Sequence, residues 1–370
     1  MITIYMEKAK RRLFFLLFSM NVGGVEKSFL SLLDTLSQHE YEVHVGLLQR
    51  RGEFIGMLPS WVEIHDCCMG CWEMLNDPPL CVIKKNLKNG HFILSFQLLG
   101  AYMIYKLTND ITAYYNVVLR QEHILDEFDA AYAYAGPASI IDYYICRKIH
   151  AKKKYGWIHF DVEKFGIDRA LTRKLYKEYD TIFVVSEAAK SKFDKIFPEF
   201  QYKTDVRYNL VSCEQILSLS KDGQTFQDSY KGKRILTVGR LSKEKGQDVT
   251  IKALKILVEK GIDVKWYYVG DGDLRMECEQ LAQAAGVSDR VSFLGVTPNP
   301  YGYMRDCNIY VQPSRHEGFC ITLAEAKCFS VPIVSTNFTG AKEQLETYPQ
   351  SVVTEMDAEA IAHGIIKILR

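Results

Sequence analysis

Short apolar runs alternate with helical patterns along most of the chain. In the second half, Arg234–Gly239 (RILTVG) reads as a buried strand, and Asp248–Glu259 carries Val249, Ile251, Leu254, Ile256, Leu257 and Val258, which suits a packed helix. The series continues with strand Val264–Val269, helix Leu274–Ala285, strand Val291–Leu294, a short helix near Tyr301–Asp306 and strand Ile309–Gln312. Helix Thr322–Cys328, strand Pro332–Ser335 and a last helix from Ala358 complete it. The first half has longer interruptions, with strands predicted at Leu13–Phe18, Val43–Leu48, Val62–His65, Ala130–Ala135, Tyr155–Ile158 and Thr181–Val185. Strict β–α alternation predicts parallel sheets with helices on both faces. The pattern breaks between about 205 and 232, where Asp222-Gly223 and Lys231-Gly232 punctuate the chain. The expectation is an α/β protein of two Rossmann-like doubly wound domains, residues 1–207 and 208–370, facing across a cleft. Ligands of such sheets bind beyond the carboxyl ends of the strands.

Two apolar stretches test that picture. Lys8, Lys10, Arg11 and Arg12 before Leu13–Phe18 imitate a secretion signal, but no small-x-small cleavage site follows. Asn21-Val22-Gly23-Gly24-Val25-Glu26 and an amphipathic stretch, Ser28 to Leu36, follow instead, so strand, glycine turn and helix is the better reading and a cytoplasmic location is expected. Phe92–Leu107 (FILSFQLLGAYMIYKL) is strongly apolar, preceded by Lys84, Lys85 and Lys88, and Arg147–Lys154 is basic. These suit either peripheral contact with an anionic membrane, placing the protein at the inner face of the cell membrane, or a core helix in an insertion with a solvated charge run. No apolar run reaches the roughly 18 residues of a spanning helix.

Composition excludes other classes. The chain has 370 residues, 48% hydrophobic and 25% charged, which is ordinary for a globular protein. With 46 basic and 45 acidic residues, no net field recruits nucleic acid, and no nucleic-acid partner is expected. Ten cysteines at irregular spacing read as free thiols. His65, Cys67, Cys68, Cys71 and Cys81 include one CxxC, but no second CxxC or HxxxH follows at finger spacing, so buried or loop thiols are favoured over a metal.

The strongest chemical signal is Pro313-Ser314-Arg315-His316-Glu317-Gly318-Phe319-Cys320-Ile321-Thr322-Leu323-Ala324-Glu325-Ala326. A buried strand ends, Gly318 lets backbone approach a ligand, and a helix opens near Ile321 with its first amides unpaired. Glu317 at the strand end and Glu325 about one turn into the helix flank this anion site. Thr322-Leu-Ala-Glu325 also matches a capping box, in which Glu325 merely closes a helix start. A second signal favours the binding reading. Strand RILTVG runs into Arg240-Leu241-Ser242-Lys243-Glu244-Lys245-Gly246, which sets two cations where they can neutralise a diphosphate without metal.

Together these residues resemble the retaining family 4 (group 1) glycosyltransferases. Glu317 and Glu325, with seven residues between, look like that family's paired glutamates, and Arg240 and Lys245 look like its diphosphate-binding pair. Val269-Gly270-Asp271-Gly272, Phe293-Leu294-Gly295, Gly340-Ala341-Lys342-Glu343 and Gly23-Gly24-Val25-Glu26 resemble further segments of the family. The resemblance implies the GT-B fold, with Glu317 on the donor sugar hydroxyls and Glu325 on the nucleotide ribose. It also places Arg240 and Lys245 on the pyrophosphate and the amides of Gly318, Phe319, Cys320 and Ile321 on sugar and phosphate. The base is expected near Gly295 and Val296, and the Gly23-Gly24 loop is expected to close over the donor. His159, just past a predicted strand in Trp157-Ile158-His159-Phe160-Asp161, resembles a cleft histidine near the reacting sugar, with Asp161 either orienting its imidazole or capping a turn.

The implied activity is metal-independent transfer of a hexose-type sugar from a nucleotide diphosphate sugar, a UDP-sugar ahead of a GDP-sugar, to a hydroxyl acceptor with retention. No cofactor and no metal site are expected. The acceptor is a saccharide or lipid-linked saccharide of bacterial surface polysaccharide or glycolipid synthesis. A sugar-nucleotide epimerase of the same fold and a non-catalytic nucleotide-binding partner subunit are the alternatives. Asp271-Gly272-Asp273 imitates a DxD metal motif but is expected to do turn and N-cap work. No partners are identified for His65, His91 and His150. The chain stops at Arg370 inside its last predicted helix, so the family's crossover helix is expected to be short or missing.

Overall fold

The computed structural model describes residues 9–68, 70–122, 125–164 and 167–370. The chain divides into two compact units. The first runs to Val185 and takes in Lys190–Arg207, and the second holds Ser186–Ala189 and Tyr208–Arg370.

The first unit is built on seven strands: β1 (Arg11–Leu17), β2 (Tyr41–Leu47), β3 (Glu63–Asp66), β4 (Leu125–Gly136), β5 (Ile149–Ile158), β6 (Thr181–Val184) and β7 (Thr204–Val206). Their order is β3-β2-β1-β4-β5-β6-β7, and every pairing is parallel. The second unit has β8 (Lys233–Val238), β9 (Val264–Val269), β10 (Val291–Phe293), β11 (Ile309–Gln312), β12 (Ile333–Thr336) and β13 (Ser351–Thr354). These are ordered β10-β9-β8-β11-β12-β13 and are also parallel throughout. In both sheets the winding reverses beside the first strand, which is where doubly wound folds open a ligand crevice.

Both faces of each sheet are buried, as the apolar strands require. In β9, Trp266 and Tyr268 join a core with Leu254, Leu257, Ile361 and Ile365, while Tyr267 and Val269 face the opposite core with Met304, Tyr310 and Leu323. The period of two along a strand sends neighbouring residues to opposite sides.

The strand expected after the signal-like residues forms, and Arg11 and Arg12 of that basic run begin it: the Arg12 amide donates to Asp129 Oδ2 at 2.9 Å, Lys10 precedes the strand and Lys8 lies outside the described residues. Other expectations are corrected. The basic run before Tyr155 is strand too, because β5 starts at Ile149. Its charges are largely engaged, with Lys152 donating to Asp129 at 2.7 Å and Lys154 Nζ to the Cys146 carbonyl at 2.9 Å. The stretch between 205 and 232 is not merely a break. Ser212 Oγ accepts from Gln215 N at 3.3 Å and starts a helix, Cys213–Asp222, that buries Ile216. Strands β7 and β13, three and four residues long, were too short to show a pattern.

The cysteines are not all free. Cys213 and Cys328, 115 positions apart, form a disulfide with Cα atoms 5.2 Å apart. One begins the helix Cys213–Asp222 and the other caps the end of the helix Ile321–Lys327. Only the packing of these two helices brings them together, and spacing in the sequence carries no trace of it. Of the candidate metal-binding cysteines, Cys81 is exposed, the Cys68 amide donates to Glu122 at 3.1 Å and the Cys71 thiol to Glu122 at 3.6 Å.

Phe92–Thr108 is a helix in an insertion between β3 and β4, beside the helices Trp72–Asn76, Pro79–Lys88 and Thr112–Val118. Among the described residues no helix is long and apolar enough to cross a membrane.

Candidate active site

In the second unit the winding reverses between β8 and β11, so the loops leaving these neighbours diverge at their carboxyl ends. After β8, Gly239 and Arg240 lead into the tight turn Lys243–Lys245, and Gly246 then opens the helix Gln247–Glu259 with a left-handed φ of 73°. A Cβ on Gly246 would lie 2.1 Å from the Pro313 carbonyl oxygen, so only glycine lets the Lys245 turn sit against the start of the Glu317 loop.

That packing brings Lys245 and Glu317 together. Lys245 Nζ donates to Glu317 Oε1 at 2.5 Å, and Ser314 Oγ donates to the same oxygen at 2.7 Å. Ser314 Oγ in turn accepts from Gln312 Nε2 at 2.8 Å, and Gln312 Oε1 accepts from Tyr310 OH at 2.8 Å and Thr322 Oγ1 at 3.1 Å. Glu317 is thus the outer end of a hydrogen-bonded chain rooted in the sheet. Burial alone would lower the Lys245 pKa, but the Glu317 carboxylate outweighs it and the pKa is raised, so the lysine stays cationic. Arg240 differs: its side chain is 69% exposed and paired with Glu244 at 2.8 Å, which leaves the guanidinium accessible to a ligand.

The helix after Glu317 spans Ile321–Lys327, with Cys320 at its N-cap and no side-chain cap. The capping box expected of Thr322 and Glu325 does not form. Thr322 is spent on Gln312, and buried Glu325 accepts from Tyr301 OH at 2.8 Å. Helix geometry leaves the amides of Ile321 and Thr322 without intrahelical acceptors. The loop before them is clamped on both sides. With its amide turned to suit both partners, Gln344 accepts from Cys320 N and donates to Cys320 O, each at 3.1 Å. Ser186 Oγ donates to the Gly318 carbonyl at 3.3 Å, and the Phe319 ring lies 6.4 Å from that of Tyr208. Burial pushes the Cys320 thiol up to about 12, with Glu317 adding to the shift, so this sulfur is a neutral packing group.

The remaining segments have structural work. Gly270 N donates to the Gly295 carbonyl at 2.8 Å, and Leu241 N donates to the Asp271 carbonyl at 2.9 Å. A Cβ on Gly270 would lie 2.1 Å from Gly239 O, so these glycines let the ends of β8, β9 and β10 lace together. Val296, next in line, is 55% exposed. Asp271 Oδ1 accepts from Gly272 N at 2.8 Å, which is turn chemistry, but the N-cap of the following helix is Leu274 and not an aspartate. Glu343 accepts from the amides of Glu187 and Ala188 at 3.1 and 3.3 Å and from Tyr208 OH at 2.7 Å.

Gly23, Gly24 and His159 belong to the first unit. Gly23 caps the helix Gly24–Leu33, and a Cβ there would meet Glu26 Oε2 at 2.4 Å. Burial raises the Glu26 carboxyl to about 7. His159 follows β5 with its ring stacked on Trp157 and 4.8 Å from that of Tyr134. Burial pulls its pKa down to about 3, so the imidazole is neutral. Asp161 does not hold it: Asp161 accepts from Glu163 N at 3.0 Å and Lys192 Nζ at 2.6 Å, and neither His159 ring nitrogen has a side-chain partner.

The second unit therefore carries Arg240, Lys245, Gly295, Val296 and Glu317–Cys320 on segments that follow its strands, with Ile321 and Glu325 in the helix Ile321–Lys327, and the first unit separately holds Gly23, Gly24 and His159. Sequence reasoning missed Gln312, Ser314, Tyr301 and Gln344. A polar Gln312 closing the apolar run IYVQ was the one available signal.

Comparison with known proteins bears on both units. An uncharacterized glycosyltransferase of Methanocaldococcus jannaschii is 29% identical over 177 residues, 46% of this chain and 43% of that protein. The N-acetylgalactosamine-N,N'-diacetylbacillosaminyl-diphospho-undecaprenol 4-alpha-N-acetylgalactosaminyltransferase of Campylobacter jejuni is 28% identical over 194 residues, 52% of this chain and 51% of that protein. The chain spans about half the length of these curated relatives. In fold it is similar to the crystal structure of Anabaena HepE in complex with UDP and glucose, with a TM-score of 0.69 and 19% identity over 97% of this chain and 90% of that one. That likeness establishes the architecture, two parallel-sheet α/β units of the GT-B class. Residues 224–370, which carry the paired cations and both glutamates, match the family model Glycosyl transferases group 1.

Proposed function

We propose that the protein transfers a sugar from a nucleotide diphosphate donor to a hydroxyl of a saccharide or lipid-linked saccharide, with retention and without a metal. The observation that carries this is the Lys245–Glu317 ion pair, set at the point where the second sheet reverses and backed by the Ser314–Gln312 chain. A diphosphate placed there meets Lys245, the exposed Arg240 and the amides of Ile321 and Thr322. As the bond from the anomeric carbon to the diphosphate oxygen breaks, negative charge grows on the leaving group, and these donors are already oriented toward it. Glu317, fixed by Ser314, accepts hydrogen bonds from sugar hydroxyls. Buried Glu325, held by Tyr301, accepts from the ribose. The acceptor oxygen bonds the anomeric carbon from the face the phosphate leaves, and its proton passes to the departing phosphate oxygen.

The finer parts of this reading draw on particular support. HepE was solved with UDP and glucose, which favours a UDP-sugar donor, and the Campylobacter relative is named for an undecaprenol-linked substrate, which favours a lipid-linked acceptor in surface polysaccharide synthesis. The helix Phe92–Thr108 supports contact with an anionic membrane. It buries Ser95, Leu98 and Ala101 yet exposes Phe92, Ile93, Phe96, Met103, Ile104 and Leu107, so its more apolar face is the solvent face. Lys84, Lys85 and Lys88 are exposed on the preceding helix. A cavity of about 760 Å³, lined in part by Met74, Phe92, Ile93, Val117 and Arg120, adjoins this face and suits an acyl or prenyl chain with a charged head.

The test is a thermal-shift panel of UDP- and GDP-sugars on the whole chain, followed by nucleotide release with and without lipid-linked acceptors. Stabilisation by a UDP-sugar and acceptor-dependent release support the proposal. No stabilisation by any sugar nucleotide sinks it.

A further inference from the structure

Within the first unit, one face of the sheet collects an unusual set of side chains. β1, β2 and β3 run parallel in the register Phe14↔His44↔Glu63, and Gly46 lies opposite His65. Residues two apart on a strand share a face. Arg12 and Phe14 of β1, Glu42, His44 and Gly46 of β2, and Glu63 and His65 of β3 therefore lie side by side. Gly46 has no room for a side chain: a Cβ there would meet Phe14, Leu16 and the Cys67 sulfur within 3 Å.

Three potential ligands converge at this edge. His44 Nδ1 lies 2.8 Å from His65 Nε2, and each of these nitrogens lies 3.5 Å from an oxygen of Glu63, Oε2 and Oε1 respectively. The far nitrogen of His44, Nε2, lies 2.8 Å from Glu42 Oε1, and the same oxygen accepts from Arg12 Nε at 3.0 Å. A carboxylate accepts only, so the Nε2 contact with Glu42 favours the tautomer that carries its hydrogen on Nε2, which leaves the Nδ1 lone pair for a ligand. That lone pair faces a second imidazole nitrogen and a carboxylate. His44 is nearly enclosed, at 3% side-chain exposure, and packed on Phe128 with ring centroids 5.0 Å apart, while Glu63 is 63% exposed and open to solvent.

We propose that His44, His65 and Glu63 form a divalent transition-metal site of the zinc class, with Glu42 as the positioning residue that orients His44. The distances fit. Tetrahedral zinc with bonds of about 2.0–2.1 Å holds its ligands about 3.3 Å apart; the two imidazole nitrogens lie 2.8 Å apart, each lies 3.5 Å from a different oxygen of Glu63, and one atom from each of the three residues falls within 4.8 Å of the others. The carboxylate behind the far imidazole nitrogen is the usual second support of a metal-bound histidine. Two imidazoles and one carboxylate suit zinc rather than magnesium or calcium, and a water takes the fourth position on the exposed side. The metal here is structural. β3 is a four-residue edge strand, and a cation bridging His65 and Glu63 to His44 staples it to β2. No thiol takes part, so this site is distinct from the CxxC of Cys68 and Cys71. Among the described residues this is the group whose ligand atoms converge.

The experiment uses the untagged full-length chain stripped with a chelator. Zinc is titrated by calorimetry, and cobalt serves as the spectroscopic probe. One equivalent of zinc should bind, and the cobalt adduct should show visible ligand-field bands without a thiolate charge-transfer band. His65→Ala and Glu63→Gln, both at the accessible edge, should each weaken zinc at least tenfold. Glu42→Gln should weaken it about tenfold or more while keeping the stoichiometry. The double variant Cys68→Ser/Cys71→Ser should bind as the parent does. Circular dichroism of the metal-free variants separates lost binding from lost folding. The proposal is overturned if the parent takes up no stoichiometric zinc, meaning that the two imidazoles simply share a hydrogen. It is equally overturned if the cysteine variant loses the metal while His65→Ala keeps it.

Discussion

Removing the charge of Lys245 should cost the donor site a specific amount. Lys245→Met keeps the length of the side chain and deletes the ammonium. A unit charge about 4 Å from a phosphate contributes about 4 kcal/mol at the effective dielectric of a partly buried site. The free protein does not gain all of this on binding, because Lys245 already serves Glu317 at 2.5 Å and must be shared with the ligand. The side chains are 24% and 12% exposed, so solvent screens the pair only in part. A net loss of about 2 kcal/mol is expected, which is about thirtyfold in affinity for UDP. The variant also leaves the Glu317 carboxylate facing the diphosphate without its counter-ion. Glu317→Gln in the Lys245→Met background should therefore recover part of the loss, a non-additive result that two independent sites would not give. Calorimetric titration with UDP at fixed salt measures the parent, each single variant (Lys245→Met and Glu317→Gln) and the double variant, with circular dichroism confirming that each is folded. UDP binding by Lys245→Met within twofold of the parent would refute the assignment of this lysine to the diphosphate.

Further outcomes follow from other parts of the molecule. Glu26 is raised by burial to about 7, from an ordinary 4.5, so its contribution to stability is complete below 4.5 and is lost as pH climbs through 7. The shift corresponds to about 3 kcal/mol, so Glu26→Gln should raise the melting temperature at pH 8 and leave it nearly unchanged at pH 4. An equal effect at both values contradicts the buried-carboxyl argument; Asp142, also raised by burial to about 7, stays in both proteins and cancels. Gly246→Ala forces a Cβ onto the Pro313 carbonyl at a φ of 73° and should cost about 1–3 kcal/mol together with UDP affinity, read by melting and titration. Replacing Ile93 and Phe96 by glutamate should abolish co-sedimentation with phosphatidylglycerol-containing vesicles while leaving the melting temperature within about 2 °C, because both side chains already face solvent and surface changes are nearly neutral. Unchanged sedimentation would remove the membrane from the reading.

What the sequence revealed and what it hid divide along a physical line. Buried parallel strands write themselves as uninterrupted apolar runs, so β8, β9 and β11 were legible almost to the residue. β5 was not, since its first half, Ile149–Lys154, carries three lysines, of which Lys152 and Lys154 are engaged by neighbours, and the sequence shows only a charge run. The helix Cys213–Asp222 hid because its amphipathic pattern is short and falls in a polar stretch. The disulfide to Cys328 and the pairing of His44 with His65 depend on which elements lie side by side, and no spacing along the chain encodes that.

The same line runs through the candidate site. Arg240, Lys245, Glu317 and Glu325 were singled out because charged residues and glycines beside strand ends and helix starts are conspicuous. The groups that hold them were not found, because Gln312, Ser314, Tyr301 and Gln344 are uncharged and look like ordinary core-edge residues until their hydrogen bonds are drawn. This asymmetry has a consequence for how the site works. Glu325 is oriented by a tyrosine from the helix Tyr301–Asp306, Glu317 by Ser314 just past β11 and through it by Gln312 at the end of that strand, and the loop between them by Gln344 from the helix Ala341–Leu345. Three separate elements thus converge on one ten-residue segment. These candidate groups are accordingly positioned by the packed sheet and its helices rather than by the loop that carries them, which is what the proposed site needs if its dipoles are to be aligned before charge develops on a leaving diphosphate.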